Sequence, residues 1–182
     1  MASHKLRREV IALLWFTTFL SAMTYADDAV PSAYRLVAAE YEIPVGLLYA
    51  IALAESGKTI EAMNHRRPWP WTLNIAGQGV YFRTRMQAWR ALDQALRAGQ
   101  DSVDIGLMQI NWHFHRQRLG NSWLALEPHH NLTVGAEILR DCYKRRRDWW
   151  ASVGCYHAPS DSHRAREYRN RVAAQWSGLS GS

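Results

Sequence analysis

The sequence predicts a mainly helical α+β domain that carries a small β-hairpin. Apolar residues recur at helical spacing through most of the chain after residue 30. One stretch, 64–83, breaks that rhythm with prolines, alternating residues and glycines. The composition is that of an ordinary globular chain, with 182 residues, 48% hydrophobic and 21% charged. A single domain is the default for such a chain.

The first residues stand apart. Lys5, Arg7 and Arg8 form a basic start, and Val10 to Met23 is an apolar run broken only by Thr17, Thr18 and Ser21. Thr24-Tyr25-Ala26 then offers small residues at the two positions a signal peptidase reads. This order is that of a secretory signal peptide. The run is about 14 residues, short of the roughly 20 needed to span a bilayer. Residues 1–26 are therefore expected to be a signal peptide and 27–182 the exported domain, periplasmic or secreted. No cysteine directly follows the apolar run, and no later segment is long and apolar enough to span. No stable membrane anchor is expected after cleavage.

Within the domain, Asp27 and Asp28 begin a short exposed lead. Tyr34, Val37, Ala38 and Tyr41 mark a helix over 31–41. Pro44 suits the start of a second helix, 45–56, with Gly57 as its stop. Pro68-Trp69-Pro70-Trp71 cannot lie in a helix interior. Leu73-Asn74-Ile75 and Val80-Tyr81-Phe82 flank Ala76-Gly77-Gln78-Gly79 and read as the hairpin. Thr84 with Gln87 makes a capping box that opens a helix to about Ala98, stopped by Gly99. Residues 101–111 read as a loop. Helices are expected at about 112–119, 129–146, 148–157 and 161–176, then a frayed tail. No internal repeat or low-complexity stretch is present.

Cys142 and Cys155 are the two cysteines. They lie nearly equidistant from the turn at Arg147-Asp148, so they can face each other across a helical hairpin. In an exported chain a disulfide is expected. Basic clusters at 144–147 and 164–171, with a formal net charge of +6, suit anionic lipid or an anionic wall polymer. Each cluster also reads as a solvated helix face. No nucleic-acid motif is present, so nucleic acid is not expected as a partner. His113 with His115 and His129 with His130 have neither the spacing nor the carboxylate for a metal site. No metal or cofactor is expected.

Glu55 falls on the same helical stripe as Leu47 and Ile51, in the last turn of its helix. Burial and the negative end of the helix dipole both disfavour its charge. A raised pKa suits a general acid at neutral pH. Ordinary glycosidases use two carboxylates at set separations. Asp101 and Asp104 are the nearest candidates for a second, and both also read as braces of their loop.

Ala52-Leu53-Ala54-Glu55-Ser56-Gly57 resembles the glutamate–serine motif of the lysozyme-like lytic transglycosylases of the SLT (soluble lytic transglycosylase) domain family. Gly106-Leu107-Met108-Gln109-Ile110-Asn111 is similar to that family's second motif almost letter for letter. Asn131-Leu132 with Gly135-Ala136 resembles its next helix. Val153-Gly154-Cys155-Tyr156-His157-Ala158 stands where the family has an alanine–tyrosine–asparagine–alanine–glycine run. The elements keep the family's order from residue 31 to about 170.

The resemblance implies a lysozyme-like fold with a groove for alternating N-acetylglucosamine and N-acetylmuramic acid, and peptidoglycan strands as partner. It implies Glu55 as catalytic acid and base, with formation of a 1,6-anhydro sugar, and Tyr156 hydrogen-bonding near it. Ser56, Met108, Gln109, Asn111 and His157 would line the substrate site. Trp69, Trp71 and Tyr81 are candidates to stack on sugar faces. His157 replaces the family's asparagine and Pro159 its glycine. With the long spacing between the first two motifs, these departures resemble specialised members that accompany conjugation, type IV secretion and pilus systems. Such an apparatus is the implied partner. A hydrolytic muramidase and a non-catalytic wall-binding component are the alternative readings.

Overall fold

The computed structural model describes residues 30–61 and 65–179. The expected signal peptide, the Asp27-Asp28 lead and the last three residues of the tail lie outside the described residues.

The chain opens with α1 (Ser32–Glu40) and α2 (Val45–Ser56). Two short strands follow, β1 (Gly57–Ile60) and β2 (His65–Pro68), paired antiparallel. A second sheet has the order β4-β3-β5-β6. Its strands are β3 (Thr72–Ile75), β4 (Gln78–Tyr81), β5 (Val103–Ile105) and β6 (Ile110–Asn111). α3 (Arg85–Arg97) lies between β4 and β5. α4 (Trp112–Leu119), a 3₁₀ turn (Leu124–Leu126), α5 (Pro128–Arg146), α6 (Trp149–His157) and α7 (Ser162–Leu179) complete the fold. The mainly helical class with a small hairpin is what the structure shows.

α2 is the central helix. Leu47, Leu48, Tyr49, Ala50, Ile51, Ala52 and Leu53 are all buried, so it has apolar residues on every side, as a core helix does. It packs against α7, α1 and β2. Leu47, Leu48 and Ile51 are wholly buried, each contributing about 1.5–3 kcal/mol by area. No single described helix is long and apolar enough to cross a membrane. The bent pair of α1 and α2, at 118°, passes by composition, as a core helix of this kind does.

Local chemistry sets the boundaries. Thr84 Oγ1 accepts from the Gln87 amide at 3.2 Å, and Arg83 N–H donates to Gln87 Oε1 at 3.2 Å, so the predicted cap forms. Ala76 and Gly77 have positive φ (52° and 83°) and close β3 on β4 as a two-residue turn. The expected four-residue turn is shorter because Gln78 and Gly79 belong to β4. Glu127 caps α5 by accepting from His129 and His130 amides, with Pro128 in the first turn. Asp148 caps α6 through Ala151 N–H at 2.6 Å. The turn between α5 and α6 brings Cys142 and Cys155 together as a disulfide.

Two expectations are corrected. The segment 101–111 is not a plain loop, because Val103–Ile105 and Ile110–Asn111 extend the hairpin sheet. Gly57 does end α2, but in extended geometry, because it starts a strand. A Cβ there would lie 2.5 Å from Arg66 Nε. The guanidinium of Arg66 occupies that space and donates to Leu53 O, at the negative end of the helix.

Candidate functional site

Glu55 ends α2 on its inner side, with a side chain 12% exposed. Burial pushes its carboxyl up to about 7. A hydrogen bond from Tyr168 and the charge of Arg171 oppose that push, and the charge of Asp104 adds to it. At neutral pH the group sits near half protonation, able both to give and to take a proton.

The hydrogen bond on Glu55 comes from Tyr168 Oη at 2.6 Å, not from Tyr156. Tyr168 is buried on α7. Its ring stacks on His157, centroids 4.3 Å apart and planes 5° apart. Arg171 lies over it at 5.2 Å. From the sequence, residues 164–171 read as a basic cluster. The available signal was Tyr168 with Val172, an apolar i, i+4 pair inside a basic helix, both wholly buried here. His157 Nδ1 lies 4.0 Å from Glu55 Oε1. Burial, then Arg171 and Arg164, lower the His157 pKa to about 4. The imidazole is therefore neutral at neutral pH, so this contact is not an ion pair.

Tyr156 donates to Met108 O at 2.7 Å instead. Burial raises its pKa, and Glu55 and Asp104 raise it further, so it lies within reach of both charges without bonding to either. Its role is to hold the turn 106–109. That turn is braced from several sides. Asn131, buried on α5, accepts from Met108 N–H at 3.0 Å and donates to Ile105 O at 2.9 Å and Ala125 O at 3.1 Å. Gly106 has φ +80°, and a Cβ there would lie 2.5 Å from Asn131 Cγ. Only glycine meets both demands. Gln109 has positive φ (43°), and its Nε2 donates to Gly106 O at 2.9 Å and Thr72 O at 3.2 Å.

Two of the residues expected at the sugar site lie in the interior. Ser56 is fully buried. Its hydroxyl donates to Leu107 O at 2.7 Å and Ala52 O at 3.2 Å, so it pins α2 to the turn. Met108 is also fully buried, under Gly135, where a Cβ would lie 2.6 Å from its Cγ. Neither has a face left for a ligand.

The sheet supplies a row that the sequence reading did not assemble. Asn74 pairs with Asp104 across β3 and β5, and Asp104 with Asn111 across β5 and β6. Directly paired residues share a face. Asn74 Nδ2 donates to one carboxylate oxygen at 3.1 Å and Asn111 Nδ2 to the other at 2.8 Å. The Oδ1 atoms of both asparagines are buried without a partner among the described residues. The next residues along, Leu73, Ile105 and Ile110, turn into the core. Asp104 therefore presents a fixed negative charge that reaches Glu55. Asp101 is exposed and pairs with His113 at 2.6 Å, apart from this row.

Trp69, Trp71 and Tyr81 gather where α2 ends. The Trp69 backbone N–H donates to Ser56 O, its indole N–H to Phe82 O, and Tyr81 Oη to Gly57 O. The two tryptophan rings meet edge-on at 5.9 Å, and Lys58 Nζ lies 4.8 Å from the Trp69 ring. Trp71 Nε1 is buried without a partner among the described residues. The aromatic faces thus stand beside the helix end that carries Glu55.

A family model described as the Transglycosylase SLT domain matches residues 34–176, from α1 to α7. No curated protein matches the chain, and no solved structure does.

Proposed function

The chain belongs to the transglycosylase SLT domain family, the class of peptidoglycan lytic transglycosylases, and from that premise we propose that it is exported and cuts wall glycans with Glu55. The observation that carries this reading is the buried Glu55 carboxyl, raised to about 7 and held by Tyr168.

Protonated Glu55 gives its proton to the glycosidic oxygen between N-acetylmuramic acid and N-acetylglucosamine. The C1–O bond breaks, leaving N-acetylglucosamine with a free 4-hydroxyl and a cation-like C1. Ionised Glu55 then takes the proton of the C6 hydroxyl as O6 closes on C1. The product is 1,6-anhydro-N-acetylmuramic acid, and no water enters. Tyr168 supports the step by stabilising the ionised carboxyl with a charge-assisted hydrogen bond. Tyr156 and Gln109 hold the turn opposite it. Local wall opening for a conjugation, type IV secretion or pilus apparatus is the proposed context, resting on the departures at His157 and Pro159.

A second reading has a specific observation in its favour. Asp104, gripped by Asn74 and Asn111, is a second carboxylate whose charge reaches the acid. In a hydrolytic muramidase that group would stabilise C1 or direct water to it.

Digestion of purified sacculi, read by mass spectrometry, tests both. Anhydro products from the wild type and none from Glu55→Gln are expected. Products heavier by one water that depend on Asp104 would replace the transglycosylase reading with the hydrolytic one. Undiminished cleavage by Glu55→Gln would remove Glu55 from the mechanism.

A further inference from the structure

One cavity among the described residues lies away from Glu55. It has a volume of about 590 Å³ and lies between the start of α1, the edge of β2 and the end of α7. Its floor is Tyr49 and Leu53 of α2. Residues 53 and 55 project about 200° apart on a helix, so this floor lies on the side of α2 away from the catalytic carboxyl.

Three arginines, Arg35, Arg66 and Arg67, line the cavity beside the His65 imidazole, and no Asp or Glu does. The arginines come from α1 and β2, so the cavity draws its cations from two elements rather than from one solvated helix face. Arg67 is close enough to Tyr49 that its charge acts on the phenol. Ser32 and Gln175 add short polar groups, and Val30, Ala174 and Leu179 add small apolar ones. The complementary ligand carries more than one carboxylate, is short, and has methyl-sized apolar parts. Arginine forks match carboxylates bidentately.

We propose that this cavity binds the peptide stem of the wall strand that the Glu55 groove cuts. The proposal rests on the peptidoglycan reading above and adds to it a preference for stem-bearing strands. A muramyl stem carries alanyl methyl groups, a glutamate carboxylate, a diamino acid and a terminal carboxylate, so it offers both the apolar parts and the paired anions that this lining suits. Reach permits it. An extended stem of five residues spans up to about 17 Å, and a helix with its side chains is about 10–12 Å across. A stem leaving a sugar at Glu55 can therefore pass round the end of α2 to Arg67.

The test is calorimetric titration of the full chain with monomeric N-acetylmuramyl tetrapeptide. This probe has no glycosidic bond to cleave, so its binding is independent of turnover. A failed digest therefore sinks the catalytic reading alone, and a failed titration sinks this one alone. Saturable binding is expected, at least tenfold weaker in Arg67→Ala and at least tenfold weaker for the probe with amidated carboxylates. Arg67→Lys retains the charge and should recover part of the loss, which keeps the test decisive if the alanine variant does not fold. Equal binding by wild type and Arg67→Ala, or by acidic and amidated probes, overturns the proposal. So does a tetraglutamate peptide that binds as tightly as the muramyl peptide, since the cavity would then read acidic peptides in general.

Discussion

At the scale of single residues, the carboxyl of Glu55 couples mechanism to stability. Its folded-state pKa is raised by burial from 4.5 to about 7. The native state therefore holds this proton at pH values where the unfolded chain has lost it. The associated stability is complete below about pH 4.5 and is lost as pH rises to about 7, with no further change above. The loss is about 3 kcal/mol. Glu55→Gln cannot ionise and can still accept from Tyr168. Its urea stability should match the wild type near pH 4 and exceed it by about that amount at pH 8; parallel curves would show that burial does not disfavour the charge. Tyr168→Phe acts on the same group from the other side. The phenol favours the ionised carboxyl, so its loss should raise the Glu55 pKa further. The alkaline limb of the kcat/KM profile should move to higher pH, with kcat down about 10- to 100-fold, given about 1.5–3 kcal/mol for a hydrogen bond to a charged group. An unmoved limb would assign Tyr168 to packing alone.

Elements bring these residues together. Ser56 and Asn131 do so from the interior. Ser56→Ala would leave Leu107 O without that hydroxyl at a fully buried site, a cost of about 1–3 kcal/mol. Asn131→Ala removes three buried hydrogen bonds, with Met108 N–H, Ile105 O and Ala125 O, and should cost more. Ser56→Ala is expected to lower the melting temperature while leaving KM for glycan unchanged at a temperature where the protein is folded. A raised KM would return Ser56 to the substrate site. The helices were legible because their apolar spacing and caps are local: Thr84 with Gln87, Pro128, and Asp148 each announce a start. β5 and β6 were not legible, because three- and two-residue strands carry no period of their own. β5 exists through pairing with β3, 30 residues away in sequence for Asn74 with Asp104, and β6 through pairing with β5. The same distance hid the Asn74–Asp104–Asn111 row. Tyr168 was hidden differently, by basic neighbours that outweigh a single apolar pair. Glu55 was readable because an acid on an apolar stripe contradicts its surroundings, and such contradictions concentrate at functional sites.

At the scale of the molecule, α2 and α7 form the centre of the site while α5 and α6 stand behind it. α6 carries Tyr156 and His157 at its C-terminal end, so the angle between α5 and α6 sets where both rings meet Glu55. The Cys142–Cys155 disulfide joins those two helices across the left-handed turn residue Arg147. It closes a short loop, worth about 3 kcal/mol in the chain-entropy model. Its effect on the site depends on how much of the angle the helix packing already determines. Val153 and Leu139 are wholly buried between the helices and the core, and Asp148 caps α6 independently of the sulfurs. Packing should therefore preserve the angle once the chain is folded. Reduction should lower the urea midpoint by an amount corresponding to about 3 kcal/mol, yet leave cleavage of sacculi at 25 °C nearly unchanged, with full activity regained on reoxidation. If reduction abolishes cleavage while far-UV circular dichroism shows the helices intact, the disulfide positions Tyr156 and His157 directly, and the α5–α6 hairpin is set by its crosslink rather than by its core.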